Sequence, residues 1–405
     1  CIMLTSEIRM RRSNFHEDIT WDLIELVEDD QFLKMLLEKS IRKAQETVND
    51  LSCCPVKDLE SYYSFIDHAV LAMPWDIYPT QRFGSLYWQI DQSMGCLYFV
   101  SDQPLEELED RGYLYNCLIY HEPFRSWFVK LLKQIGSFLD DERSWSGDYY
   151  HMALAEKSFH LDDGTYEDPK NWKSFNDFFA RRLKDPSARP IESPDDEDVI
   201  ISPTDAIPQG IWQIDERSRI IGNDQLTQAG ITIKSGTLTD VSALLGESAF
   251  KDVFAGGTLT HTLLDINDYH RYHFPLSGEV KEIFVVGQDD APGGVITWNP
   301  VTRRFKEYFS ETVGWQSIET RGVCVVKTDD GGYAAIVPVG MCQVSSVVFE
   351  EGLKPGVGVK KGDPLGCFRF GGSDVIMIFS KELDFRMTCE KDEHLLMGKA
   401  YGRIR

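Results

Sequence analysis

Three short stretches hold side chains that could act together. FRFGGSDVIMIF, residues 368–379, places Ser373 directly after Gly371 and Gly372. ISPTDAIPQG, residues 201–210, carries Asp205 in a Pro-flanked loop, and DINDYHRYHFPLSG, residues 265–278, carries His270 and His273 three apart. A hydroxyl, an imidazole and a carboxylate are the materials of an activated nucleophile, in which the His takes the hydroxyl proton and the acid fixes the imidazole tautomer. Taken singly, each stretch has a plainer reading. Gly-Gly-Ser suits a hairpin turn, a loop Asp suits a cap, and two histidines suit a hydrogen-bonded structural pair. No Cys or further His at ligand spacing completes a metal site around His270 and His273, so no metal is expected. A hydrolase elbow would run GxSxG into a helix, whereas GGSDVIMIF runs into a strand.

The elements that must position these groups are legible as patterns. From about residue 199, short β-branched runs alternate with turns (DVIISPTD, GEVKEIFVVG, GVCVVKTDDGG, AAIVPVG, CQVSSVVFEEG), which predicts a β-rich domain with hairpin connections and an exposed loop at DDAPGG, residues 289–294. FNDFFARRLKDPSARPI, residues 175–191, predicts an amphipathic helix ending in a turn, with the basic ARRLK run on a solvated face or in salt bridges. The first 160 residues read as helical. Phe124, Trp127, Phe128, Leu131, Leu132, Ile135 and Leu139 share one face behind Pro123 in a first turn, and Phe32, Leu33, Leu36, Leu37 and Ile41 repeat the pattern after an acidic lead-in. DDGTYEDPKNW, residues 162–172, marks a boundary. The expected architecture is α+β, with a helical accessory domain over 1–165 and a β-rich domain over 166–405.

A chain of 405 residues with 42% hydrophobic and 12% aromatic content is globular and long enough for two domains. Its formal charge of −23 argues against a polyanionic partner, so nucleic acid is not expected, and basic clusters such as RMRR at 9–12 lie in acidic or mixed surroundings. Nine cysteines, two of them the neighbours Cys53 and Cys54, form no CxxC pair, which suits free thiols in a reducing compartment. No apolar run approaches the roughly 18 residues that span a bilayer. CIML is too short for a secretory core. A soluble, cytoplasmic protein is expected, peripheral to a membrane if its substrate is a lipid, although a chain that starts at Cys1 leaves an upstream targeting segment open.

Four motifs, FNDFFARRLKDPSARPI, the ISPTD loop, DYHRYHFPLSG and VKKGDPLGCFRFGGSDVIMIF, stand in the order found in the phosphatidylserine decarboxylases. The sequence resembles this pyruvoyl-dependent family from about residue 170 to 390. The resemblance implies a barrel-sandwich-like domain cut by its own chemistry between Gly372 and Ser373. Ser373 Oγ would attack the Gly372 carbonyl to form an ester, and elimination and hydrolysis would leave a pyruvoyl group on a small chain, residues 373–405, held by strand pairing through VIMIF. His273 matches the family's cleavage base, Asp205 its orienting acid, and His270 the His that assists proton transfer beside the finished cofactor. The pyruvoyl group would act as electron sink with no metal and no pyridoxal phosphate. The implied substrate carries a free α-amino acid moiety: phosphatidylserine, giving phosphatidylethanolamine, or a free aromatic L-amino acid, because the N-terminal region resembles that of a soluble branch that includes a fungal tryptophan decarboxylase. Family members often form homodimers. Two residues depart from the family pattern: Ala206 stands for a Gly after the acid, and Asp374 for a small hydroxyl residue after the nucleophile, where a carboxylate would disfavour a developing oxyanion. The competing readings are a carrier or binding module, suggested by the hairpin-rich GLKPGVGVKKGDPLG, and an inactive relative that stays uncut.

Overall fold

The computed structural model describes residues 15–48, 53–78, 83–111, 116–222, 232–233, 236–237, 240–287, 296–307, 315–341 and 346–405. The RMRR cluster and the DDAPGG loop lie outside them. The architecture is mixed, helical first and then β-rich, and the chain divides into two compact units, residues 1–138 with 295–308 and residues 139–294 with 309–405.

The first unit is built on α1 (Asp18–Asp29), α2 (Gln31–Val48), α3 (Leu59–Ala69), α4 (Leu86–Phe99) and most of α5 (Phe124–Asp140). Leu33, Leu36, Leu37, Ile41 and Ala44 form the buried stripe of α2. Phe32 is 47% exposed and falls off that stripe, one residue and so about 100° round the helix from Leu33. The acidic lead-in has a defined task, since Asp30 Oδ1 accepts from the main-chain N–H groups of Phe32 and Leu33 and satisfies two donors that a helix start leaves open. All seven apolar residues expected on one face of α5 are buried. Pro123 sits just before the helix instead of in its first turn, and its carbonyl accepts from Trp127 N. This unit also contains a hairpin, Ile296–Asn299 with Arg304–Glu307. Gln92 clamps it by accepting from Phe305 N at 2.7 Å and donating to Phe305 O at 2.9 Å, while Asp102 accepts from Ile296 N. Gly95 makes room for it, since a Cβ there would lie 2.5 Å from Phe305 Cβ.

The second unit is organised by an eight-stranded antiparallel sheet: β1 (Ile207–Ile214), β2 (Ile220–Gly222), β3 (Thr258–Leu264), β4 (Gly278–Val286), β5 (Thr320–Lys327), β6 (Tyr333–Met341), β7 (Gly358–Val359) and β8 (Gly372–Phe379). Its spatial order is β7-β4-β5-β6-β8-β3-β1-β2. Alternate residues of the central strands, Val323 and Val325, Val337 and Val339, Ile376 and Ile378, build the core on one face, closed by the short helix Val241–Leu245. Two three-stranded sheets accompany it. One joins Val347–Phe349, Pro364–Phe368 and Arg271–His273, and the other joins Val199–Ile201, Ala400–Arg403 and Arg386–Met387. The Gly-Gly-Ser stretch is therefore not a hairpin turn. The run before it belongs to a three-stranded sheet, the run after it is β8 of the large sheet, and residues 369–371 join them.

Candidate functional site

Ser373 is the second residue of β8, paired with Leu264 of β3 and Gly340 of β6. It is 1% exposed, and its Oγ has no hydrogen-bond partner among the described residues. A buried hydroxyl left unpaired costs about 1–3 kcal/mol, so its retention calls for a reason. A hydroxyl held without a partner is one that a reaction can use. The approach to Ser373 is held by the FNDFF motif, which forms α6 (Phe175–Phe179) after an Ser174 cap. Asn176 Oδ1 accepts from Phe370 N at 2.8 Å and its amide donates to Asp140. The Phe370 ring meets Phe175 and Phe179 edge-on at 5.2 Å each. Strand alternation turns Asp374 to the other face, the core face, where it accepts from Thr262 N at 3.2 Å and Gln316 Nε2 at 3.0 Å and lies 3.0 Å from His261 Nδ1.

His270 is buried against Phe179, ring centroids 3.8 Å apart. Its Nδ1 lies 3.0 Å from the Asp268 carbonyl. A carbonyl only accepts, so the proton sits on Nδ1 and Nε2 keeps its lone pair. Burial, and secondarily the Arg181 charge, hold His270 well below the usual histidine range. The expectation of a solvated ARRLK run fails at Arg181. Its side chain is fully buried, with the guanidinium 4.4 Å from the Tyr166 ring centre and Nη2 donating to the carbonyls of Asn267 and Asp268. His273 donates through Nδ1 to the Gly362 carbonyl at 2.9 Å and accepts from Tyr269 Oη at Nε2, 3.1 Å away, and burial lowers its pKa too.

Asp205 is 2% exposed and takes a two-pronged ion pair from Arg189, Nε at 2.9 Å and Nη2 at 2.5 Å, plus Met397 N at 2.8 Å. With the chain intact, then, Ser373, His273 and Asp205 share one unit but no hydrogen bond among themselves. The polar contacts of His273 come from Tyr269 and Gly362, and those of Asp205 from Arg189 and Met397. Sequence reading overlooked Arg189, Tyr269, Asn176 and Gly362 as supports, although all four lie within the quoted motifs. A cavity of about 350 Å³ opens beside this network, lined by Tyr166, Arg189, Asp205, Asp268, His394 and Leu396 among others. Among the described residues no cluster of three or more His, Cys, Asp or Glu is arranged to hold a metal, and no helix is long and apolar enough to cross a membrane.

Comparison with known proteins gives this arrangement a context. A family profile described as phosphatidylserine decarboxylase matches residues 175–403. The phosphatidylserine decarboxylase proenzyme of Ruminiclostridium cellulolyticum is 32% identical over 259 residues, covering 62% of this chain and 76% of that protein. Phosphatidylserine decarboxylase proenzyme 2 of rice is 31% identical over 62% of this chain, and proenzyme 3 of Schizosaccharomyces pombe 33% identical over 51% of it. The matched regions span 35% of the rice protein and 19% of the fission-yeast one. The match runs through every element that carries Ser373, the two histidines and Asp205, and on its extent the chain belongs to the phosphatidylserine decarboxylase family.

Proposed function

We propose that the protein is a self-processing decarboxylase that makes a pyruvoyl group from Ser373 and removes the carboxylate from the serine head group of phosphatidylserine. The observation that carries this reading is the buried, unpartnered Ser373 Oγ at the start of β8, directly after Gly371-Gly372. In self-cleavage, Oγ attacks the Gly372 carbonyl carbon and loses its proton to a base, the C–N bond breaks, and the Ser373 nitrogen takes up a proton to become a free amine. Elimination of the ester leaves a Gly372 carboxylate and a dehydroalanine, which adds water and releases ammonia to end as the pyruvoyl group. His273 is the base in this reading. Its Nδ1 proton is fixed by Gly362, so Nε2 accepts the Oγ proton once the Tyr269 hydroxyl turns away. Asp205 orients the site through the Arg189 pair. Once formed, the pyruvoyl group supplies an electron sink for the bond that releases carbon dioxide. His270, neutral and with a free Nε2 lone pair, then moves the proton that replaces the carboxylate.

A second reading, decarboxylation of a free aromatic L-amino acid, is favoured by the formal charge of −23, which opposes approach to an anionic lipid surface, and by the N-terminal helical region that lies outside the matched segment. Family resemblance extends the proposal to a homodimer. The test is an intact-mass spectrum of the purified protein beside Ser373→Ala. Two chains divided before residue 373 in the wild type, the smaller with a blocked carbonyl terminus, and one whole chain in the variant support the reading. A wild type that stays whole sinks it and leaves the carrier module or the uncut relative. Carbon dioxide release from phosphatidylserine micelles against release from L-tryptophan separates the two substrates.

A further inference from the structure

The segment that follows β8 returns to the histidines. Within residues 373–405, His394 Nε2 lies 2.7 Å from Asp268 Oδ1, Leu395 exchanges main-chain hydrogen bonds with Ala206, and Met397 N reaches Asp205. Asp268 is 6% exposed, and each of its oxygens has a partner. Oδ2 accepts from Asp265 N at 2.8 Å, while the main-chain carbonyl accepts from Arg181 Nη2 at 2.9 Å and from His270 Nδ1 at 3.0 Å. The carbonyl that fixes the His270 tautomer thus belongs to the residue whose carboxylate His394 grips.

We propose that His394 is a positioning residue for turnover: from the smaller chain it anchors Asp268, so that the Asp268 carbonyl keeps the proton on His270 Nδ1 and leaves Nε2 as the working nitrogen. The inference rests on the decarboxylase reading above. Other charged groups face this pair. Around the cavity Arg189 holds Asp205 and His160 lies 3.4 Å from Asp163, Asp265 adds a further negative charge, and Arg181 stands against the Asp268 carbonyl. Among the described residues, His394 is the cation in ion-pair contact with the Asp268 carboxylate. The hydrogen bond that His394 donates to the Asp268 carboxylate, set against a smaller opposing effect of burial, raises His394 above the ordinary histidine range. A raised histidine keeps its charge at and below its usual titration point and loses it as the pH climbs through the raised value, so the charged pair dissolves on the alkaline side.

The experiment compares self-processed wild type with His394→Ala and His394→Gln, following cleavage by intact mass and carbon dioxide release from phosphatidylserine micelles and from L-tryptophan across pH. The expected result is normal cleavage in both variants, kcat lowered about tenfold in His394→Ala with little change in KM, and partial recovery in His394→Gln, whose amide N–H keeps an uncharged hydrogen bond. The wild type is expected to lose rate on the alkaline side, and both variants to lack that limb. Processed His394→Ala that matches wild type within about twofold and shares its pH profile overturns the inference, as does a variant pair that stays uncut, because the residue would then serve folding or cleavage. Failure of the underlying reading looks different: the wild type itself stays whole or, once cut, releases no carbon dioxide, and the inference falls with it.

Discussion

At the scale of single residues, the buried carboxylates Asp205 and Asp374 are each held by named partners. At 2% exposure Asp205 is matched by the Arg189 fork, which replaces the water its carboxyl group gives up. Arg189→Ala strands that carboxylate, and we expect a loss of about 3–5 kcal/mol, read as a lower urea midpoint. Arg189→Lys should recover part of it, because an ammonium supplies one point charge where the guanidinium supplies two aligned donors. An unchanged midpoint in Arg189→Ala would show that the pair does not hold Asp205. Asp374, the departure from the family beside Ser373, is likewise matched, by Gln316, His261 and the Thr262 N–H on the opposite face of β8. Asp374→Ala should remove the buried acceptor shared by the Gln316 amide and the Thr262 N–H and cost about 1–3 kcal/mol in thermal or urea melts, while cleavage at Gly372 continues. A stable but uncut Asp374→Ala would show that its carboxylate acts in the cleavage.

At the scale of elements, the strand Pro364–Phe368 carries the chain into Gly371 and Ser373 and is sandwiched between Val347–Phe349 and Arg271–His273. Gly366 lies where those strands meet: a Cβ there would fall 2.1 Å from the Val348 carbonyl oxygen and 2.6 Å from the Tyr272 ring. The nearer of these is backbone and cannot step aside, so Gly366→Ala should destabilise the second unit by about 3 kcal/mol or more. Because His273 ends the neighbouring strand and His270 directly precedes it, cleavage should slow as well, and a melting temperature and cleavage rate equal to wild type would refute this account. The short helix α6 works at the same scale. Its five residues are too few to be stable alone, and it persists through the Ser174 cap and the packing of Phe175 and Phe179 on Phe370.

At the scale of the whole molecule, the proposed cut would fall at the end of a central strand. β8 is paired along Gly372–Phe379 with β6 on one side and β3 on the other, and the remainder of the smaller chain pairs through Ala400–Arg403 with Val199–Ile201. Cutting before Ser373 breaks one covalent bond and leaves those ladders in place. The two products should therefore co-elute on native size exclusion and separate only in denaturant. A fragment 373–405 that leaves under native conditions would contradict the pairing.

The sequence by itself determined the element types and supplied the candidate residues for chemistry, because periodicity and turn residues are local. The stripe of α5, the strands around DVIISPTD and AAIVPVG, and the set Ser373, His270, His273 and Asp205 could all be read without coordinates. Tertiary structure decided what meets what. Nothing local told that Arg181 would be buried against Tyr166, that Gly-Gly-Ser would pass from one sheet to another instead of turning a hairpin, or that Phe305 would be clamped by Gln92 across a separation of 213 residues. The same holds at the site, where Arg189 and Met397 take the Asp205 carboxylate and Gly362 and Tyr269 take the His273 ring. Such partners are chosen by burial, which forces each polar group to find a match wherever the fold brings one, and that choice is made in space and not along the chain.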